Sequence, residues 1–220
     1  MGKKNTGSAD IRDMLVVHQA FITAYERAPG LVLAVREGEV SRANVVADHL
    51  ALIGDFLHLH HKGEDDLLWP KIEKRAPASL RPTLGVLEDQ HVEIDRLMTS
   101  VSELSERWRA SARSVVGEQL ADALQGLSRA LVQHLALEEK EVLSSAHLYV
   151  TATEWHELGD HAINGLPKAK LPIIFGMLAD IADPSVVKLM LESAPAVPRF
   201  IMPILGPRAY ARHARRVYGS

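Results

Sequence analysis

The sequence predicts an all-α protein: an antiparallel four-helix bundle followed by a C-terminal appendage of short helices. Three observations predict it. Apolar residues recur at spacings of three and four along four long stretches. No apolar–polar alternation runs between turn dipeptides, so strand signals are lacking. Short polar or proline-bearing links join the four stretches, which places successive helices side by side and reversed in direction.

The first helix is expected over Asp10 to Tyr25, with Ile11, Met14, His18, Phe21, Ile22 and Tyr25 in one stripe and an end before Pro29-Gly30. A short helical piece over Leu31 to Arg36 precedes Gly38. Ser41 is placed to cap the second helix, whose stripe is Ile53, Leu57, His60, Glu64 and which stops around Pro70. A third helix begins near Ser79 to Pro82 and carries Leu84, Leu87, His91, Ile94, Met98, Val101, Leu104 and Trp108, close to a heptad seam. A fourth begins near Ser111 or Ser114 and carries Leu120, Leu124, Leu127, Leu131, His134 and Glu138. Composition shifts near residue 150, so residues 1–150 read as the bundle and 151–220 as the appendage. Thr151-Ala-Thr-Glu154 has the pattern of a capping box for a fifth helix. Beyond it the prolines at 167, 172, 184, 195, 198, 203 and 207 are expected to break the chain into short helices that cap the bundle or form a homodimer surface.

Composition narrows the function classes. The chain has 220 residues, 47% of them apolar and 24% charged, enough for a buried core. It has no cysteine, which excludes disulfides, thiolate metal sites and cysteine nucleophiles. The first residues lack the apolar run of a signal peptide. Leu171 to Ile181, the longest mostly apolar stretch, is too short to span a bilayer and is interrupted by Pro172, Gly176 and Asp180. A cytoplasmic protein with no membrane span is the expectation. The net charge is −3, but no acid follows Glu192 while five arginines do, so the tail alone is +5. Without a recognisable binding motif, that tail reads as a solvated face packed on an acidic body and not as a nucleic-acid surface.

The chemistry lies in the stripes. Each of the four helices places one histidine among its apolar residues: His18, His60, His91 and His134. His60 and Glu64, and again His134 and Glu138, are four apart and so stand one above the other on a helix. A lone stripe histidine is most often a hydrogen-bonded core residue. Four imidazoles and two carboxylates buried without partners would cost several kcal/mol, and a divalent cation removes that cost, because neutral imidazole and carboxylate are its ligands. Heights agree as well: consecutive histidines differ by three residues in their distance from the intervening turn, less than one helical turn. His61 is three residues from Glu64 and can stand in for His60. Asp95, four after His91, reads as a ligand, an acceptor behind a ligand, or a solvated charge. His49 and His58 point off the stripe. His147, His156, His161 and His213 lie outside the seams, as surface or packing residues.

At these residues the chain resembles the hemerythrin-like (HHE cation-binding) family, whose ligand order is H…HxxxE…H…HxxxE; here it reads His18, His60 to Glu64, His91, and His134 to Glu138, over roughly residues 10 to 145. The resemblance implies a hemerythrin-like bundle holding two non-heme iron ions, oxo- or hydroxo-bridged, with both glutamates bridging the metals and the histidines capping them. The oxygen carriers of the family use a fifth histidine where this chain has Asp95, and a longer HxxxxD on the fourth helix, so reversible oxygen carriage is not implied. The expected function is a di-iron protein that handles O2, NO or peroxide as sensor or detoxifier. A peroxide-decomposing, catalase-like enzyme and an iron storage or donation protein are the alternatives, since all need the same ligands.

Overall fold

The computed structural model describes residues 7–192, 194 and 196–219. It is helical almost throughout: α1 (Arg12–Leu33), α2 (Val40–Gly63), α3 (Trp69–Arg75), α4 (Arg81–Arg109), α5 (Ser114–Glu138), α6 (Ser144–Tyr149), α7 (Ala152–Gly165), α8 (Leu171–Ile181), α9 (Pro184–Glu192) and α10 (Ala196–Tyr218). Among the described residues the extended pairing is one bridge, Ser8 with Thr151, which ties the segment before α1 to the start of α7. The long helices form a bundle in which α5 packs on α1 and α4, and α2 packs on α4 and α1. Heptad stripes bury the inner faces: Met14, Phe21, Tyr25, Ala28 and Val32 on α1; Val46, Leu50, Ile53 and Leu57 on α2; Leu84, Leu87, Ile94, Val101 and Trp108 on α4; Leu120, Leu124, Leu127 and Leu131 on α5.

These residues make two apolar clusters. One contains Phe21, Leu57, Ile94 and Leu131; the other contains Met14, Leu68, Leu87 and Val142. On each long helix the stripe histidine, with the glutamate where there is one, falls between a residue of one cluster and a residue of the other. A polar layer therefore divides the core.

Two turns of the helices that carry His-x-x-x-Glu are widened. Glu64–Leu68 and Glu139–Leu143 are π-helical, and each closes with a bond five residues back, Trp69 N–H to the Glu64 carbonyl and Ser144 N–H to the Glu139 carbonyl. The widening lets each helix continue past its glutamate, so the second does not stop at Pro70, which sits in the first turn of α3 where its missing N–H costs nothing.

Three expectations are corrected. α1 runs through Pro29-Gly30 to Leu33, because the Pro29 ring is buried in the inner face and Val32, one turn on, is buried too. The second helix starts at Val40 with Glu39 before it, and no side-chain cap from Ser41. The prolines after residue 166 do not break the chain into short helices throughout: α10 continues across Pro203 and Pro207, which stand four apart on its exposed side. Its other side packs on α8, where a Cβ on Gly176 would meet the Gly206 carbonyl oxygen at 2.1 Å, a backbone-to-backbone approach only glycine permits. The Thr151 capping box is present as expected, with Glu154 also paired to Arg75 at 2.6 Å. No helix among the described residues is long and apolar enough to cross a membrane.

Candidate metal centre

The polar layer gathers side chains from α1, α2, α4 and α5. His18, His61, His91, His134, Glu64 and Glu138 are all at most 3% exposed, and His60 is 8% exposed. Their ligand-capable atoms form two groups, each with all members within 4.8 Å of one another: His61, Glu64, His91 and His134 in one, and His18, His60, Glu64 and Glu138 in the other.

The glutamates link the groups. Glu64 Oε1 lies 3.2 Å from His60 Nε2, and its Oε2 lies 3.4 Å from His91 Nε2. Glu138 Oε2 lies 3.5 Å from His18 Nε2 and 3.8 Å from His134 Nε2. Each carboxylate thus faces histidines of both groups. That follows from the helix geometry of His-x-x-x-Glu, which stacks each glutamate over the histidine of its own helix, while the opposed helices bring the other two histidines to the same level.

Three histidines are oriented from behind. Nδ1–H of His91 donates to Asp65 Oδ1 at 2.8 Å, that of His18 to Glu139 Oε1 at 2.9 Å, and that of His134 to Gln90 Oε1 at 3.1 Å. With a proton held on Nδ1, Nε2 of each faces inward, those of His91 and His134 lying 3.1 Å apart; a lone pair on Nε2 is what a metal needs. Both acids follow directly on the layer's glutamates, at the start of the widened turns.

The residues fit a metal, and the test is hydrogen bonding. His18 Nε2, His60 Nε2, both ring nitrogens of His61 and all four oxygens of Glu64 and Glu138 are buried with no hydrogen-bond partner. Each such orphan costs about 1–3 kcal/mol, so a layer of them is tolerable only around something that satisfies them together. Titration tells the same story. Burial, reinforced by neighbouring histidines, holds His60 and His61 well below the ordinary histidine range and His134 down to about 3. Burial pushes Glu64 up, with His91 working against it, and pushes Glu138 well up, with Glu64 adding to it. His91 is the exception. Burial opposes its charging, yet its hydrogen bond to Asp65 and the nearby Glu64 carboxylate prevail and raise it to about 10. Without a metal, a proton on His91 supplies positive charge beside Glu64; a bound cation must displace it.

A Hemerythrin HHE cation binding domain profile matches residues 9–146. The chain belongs to that family. Searches of curated proteins and of solved structures returned no match. The hemerythrin match covers the four helices that build the polar layer, and it stops short of α7.

All six residues read from the sequence, His18, His60, Glu64, His91, His134 and Glu138, are brought together in this hemerythrin-type layer. His61 joins them instead of replacing His60: it stacks on His91 with ring centroids 4.1 Å apart and planes 15° apart. Adjacent residues differ by about 100° around a helix, and the layer lies on the bundle axis, so His60 and His61 straddle the seam. Asp95 does not come to the layer. Its side chain is 49% exposed and 3.6 Å from His58; Ile94 takes the inward position of that turn. Asp65, Glu139 and Gln90 were not read from the sequence; the doubled acids Glu64-Asp65 and Glu138-Glu139, at the same place in both His-x-x-x-Glu repeats, were the available signal.

Proposed function

We propose that this is a non-heme di-iron protein that takes up a small ligand of the O2, NO or peroxide class for sensing or detoxification. The observation that carries it is the pair of orphaned glutamates, each facing histidines of both groups, an arrangement suited to bridging two cations. Imidazole nitrogen with bridging carboxylate favours iron over magnesium or calcium, which prefer oxygen alone. In this reading His61, His91 and His134 hold one ion and His18 and His60 the other, with Glu64 and Glu138 shared. The second ion would then have fewer protein ligands and would leave room for an exogenous ligand. When bound, the irons supply the redox chemistry. The chain's own part is to fix the imidazole tautomers through Asp65, Glu139 and Gln90, and to exclude bulk water.

The same reading makes α1, α2, α4 and α5 the antiparallel four-helix bundle of the family, within residues 1–150, and α7 to α10 an appendage over 151–220. The order of clusters along the helices supports it: the cluster containing Met14 comes before the layer on α1 and α4, and after it on α2 and α5.

Elemental analysis of protein produced with iron, together with absorption spectra before and after nitric oxide or peroxide, tests the proposal. Two irons per chain and a stable shifted band are expected. One metal or none rejects the dinuclear reading, and rapid gas evolution from peroxide moves the function to catalysis.

A further inference from the structure

The geometry points to α7 as the gate of a route by which small uncharged molecules reach the His60 side of the layer. Of the layer's five histidines, His60 is the most exposed, so access is asymmetric. A cavity of about 80 Å³ adjoins it, walled by α1, α2 and α7 and lined by His60 and Glu64 of the layer and by Gly159 of α7. A water molecule needs about 10–15 Å³ of such space, so a diatomic molecule fits.

Its sides are apolar, with Met14 and Phe56 from the bundle and Leu158 and Ala162 from α7. Besides Glu64 of the layer, one carboxylate borders it, Asp13, whose Oδ1 accepts from the Trp155 indole N–H at 3.0 Å and from the Met14 N–H at 2.9 Å. That acid is held against the wall and also fastens α7 to α1. A lining of this kind admits neutral molecules and discriminates against hydrated ions, which would lose solvation with little in return.

α7 is built to sit close. A Cβ on Gly63 would lie 3.3 Å from the His161 ring and 3.6 Å from Leu158, and one on Gly165 would lie 2.4 Å from Leu59. Its N-terminus is fixed by the Thr151–Glu154 capping box and by Arg75. Gly159 differs: it lines the cavity, is exposed, and a Cβ there would meet nothing within 4 Å, so the mouth is assigned to this point, where α7 carries no side chain. α7 lies beyond the residues matched to the family, so the matched residues alone do not complete this wall.

The inference rests on the di-iron reading for what the route serves, so the experiment has two readouts. Xenon uptake, followed by 129Xe NMR, reports the cavity whether or not iron is bound. Stopped-flow association of nitric oxide with the reduced, iron-loaded protein reports the route. Gly159→Trp closes the mouth and Ala162→Phe fills the passage. Both are expected to abolish the xenon shift and slow nitric oxide association at least tenfold, with helicity and iron content as in the parent. Leu158→Ala is expected to speed it. A parent without a xenon shift, or closed variants with parental association rates, overturns the gate. A parent that takes up xenon but shows no iron–nitric oxide spectrum overturns the di-iron reading and leaves the cavity assignment intact.

Discussion

Two places in this molecule bury histidine, and they do so in opposite ways. About three turns along α2 from the layer, His49 is 1% exposed, yet both its nitrogens are occupied: Nδ1–H donates to His213 Nε2 at 3.0 Å, and Nε2 accepts from the Tyr218 hydroxyl at 3.2 Å. Tyr218 lies under Arg27, whose guanidinium is 4.0 Å from the ring centre, and Arg42 binds the carbonyls of Arg216 and Val217 at the end of α10. This is a closed account, in which histidine joins α10 to the bundle. In the polar layer the same residue type is left with open nitrogens beside open carboxylates. Burial of a histidine alone is silent about metal; burial with inward-facing lone pairs and nothing to meet them is what marks a ligand.

The largest effect that can break this comparison is removal of the cation. A tightly held ion contributes roughly 4 kcal/mol at a thousandfold excess over its dissociation constant, and each kcal/mol moves the midpoint of a chain this size by about 2–4 °C. Chelation is therefore expected to lower the melting temperature by roughly 10 °C or more, measured by calorimetry or circular dichroism. An unchanged midpoint would place the layer on a par with His49.

Next come the glutamates. Glu64→Ala and Glu138→Ala are each expected to lose both irons, whereas His18→Ala and His61→Ala are expected to keep at least one, read by elemental analysis of the purified variants. Glutamate variants with full metal would remove the bridging assignment.

His49→Gln sharpens the comparison from the other side. It is expected to cost about 1–3 kcal/mol through broken buried hydrogen bonds and to leave iron content unchanged. Its pH dependence has a definite sign. Burial first, then His213 and Arg27, hold His49 down to about 3 in the folded protein. The unfolded chain therefore takes up its proton first as pH falls, and parental stability declines from about pH 6.5 towards 3. Lacking this group, the glutamine variant loses less over that window, so denaturant titrations should show the gap narrowing. The smallest effect is at Asp95: with its half-exposed side chain beside His58, Asp95→Ala is expected to leave metal content and spectrum as in the parent.

Much of this was legible in the sequence because heptad spacing fixes which residues face inward. His18, His60, His91 and His134 occupy stripe positions, and the core reads off the same pattern. His61 was not legible as a simultaneous member, since the stripe admits one residue of an adjacent pair unless the site lies on the axis. Asp65 and Glu139 act from the start of π turns, which periodicity does not announce. Asp95 shows the converse error: a spacing of four keeps a residue near the same face but does not bring it inward when Ile94 fills that place. The continuity of α10 across two prolines came from its packing on α8, a tertiary effect.

The divided core has a consequence for how the molecule comes apart. Two apolar clusters separated by a sheet of unsatisfied polar atoms are two potential units of melting, joined chiefly by continuous helices. A cation held by residues of all four helices acts as a rivet through both. Loaded protein should unfold as one cooperative unit, with calorimetric and van't Hoff enthalpies equal, while stripped protein should show a calorimetric excess as the two halves let go separately. In that sense the metal sets the cooperativity of the fold as well as its chemistry.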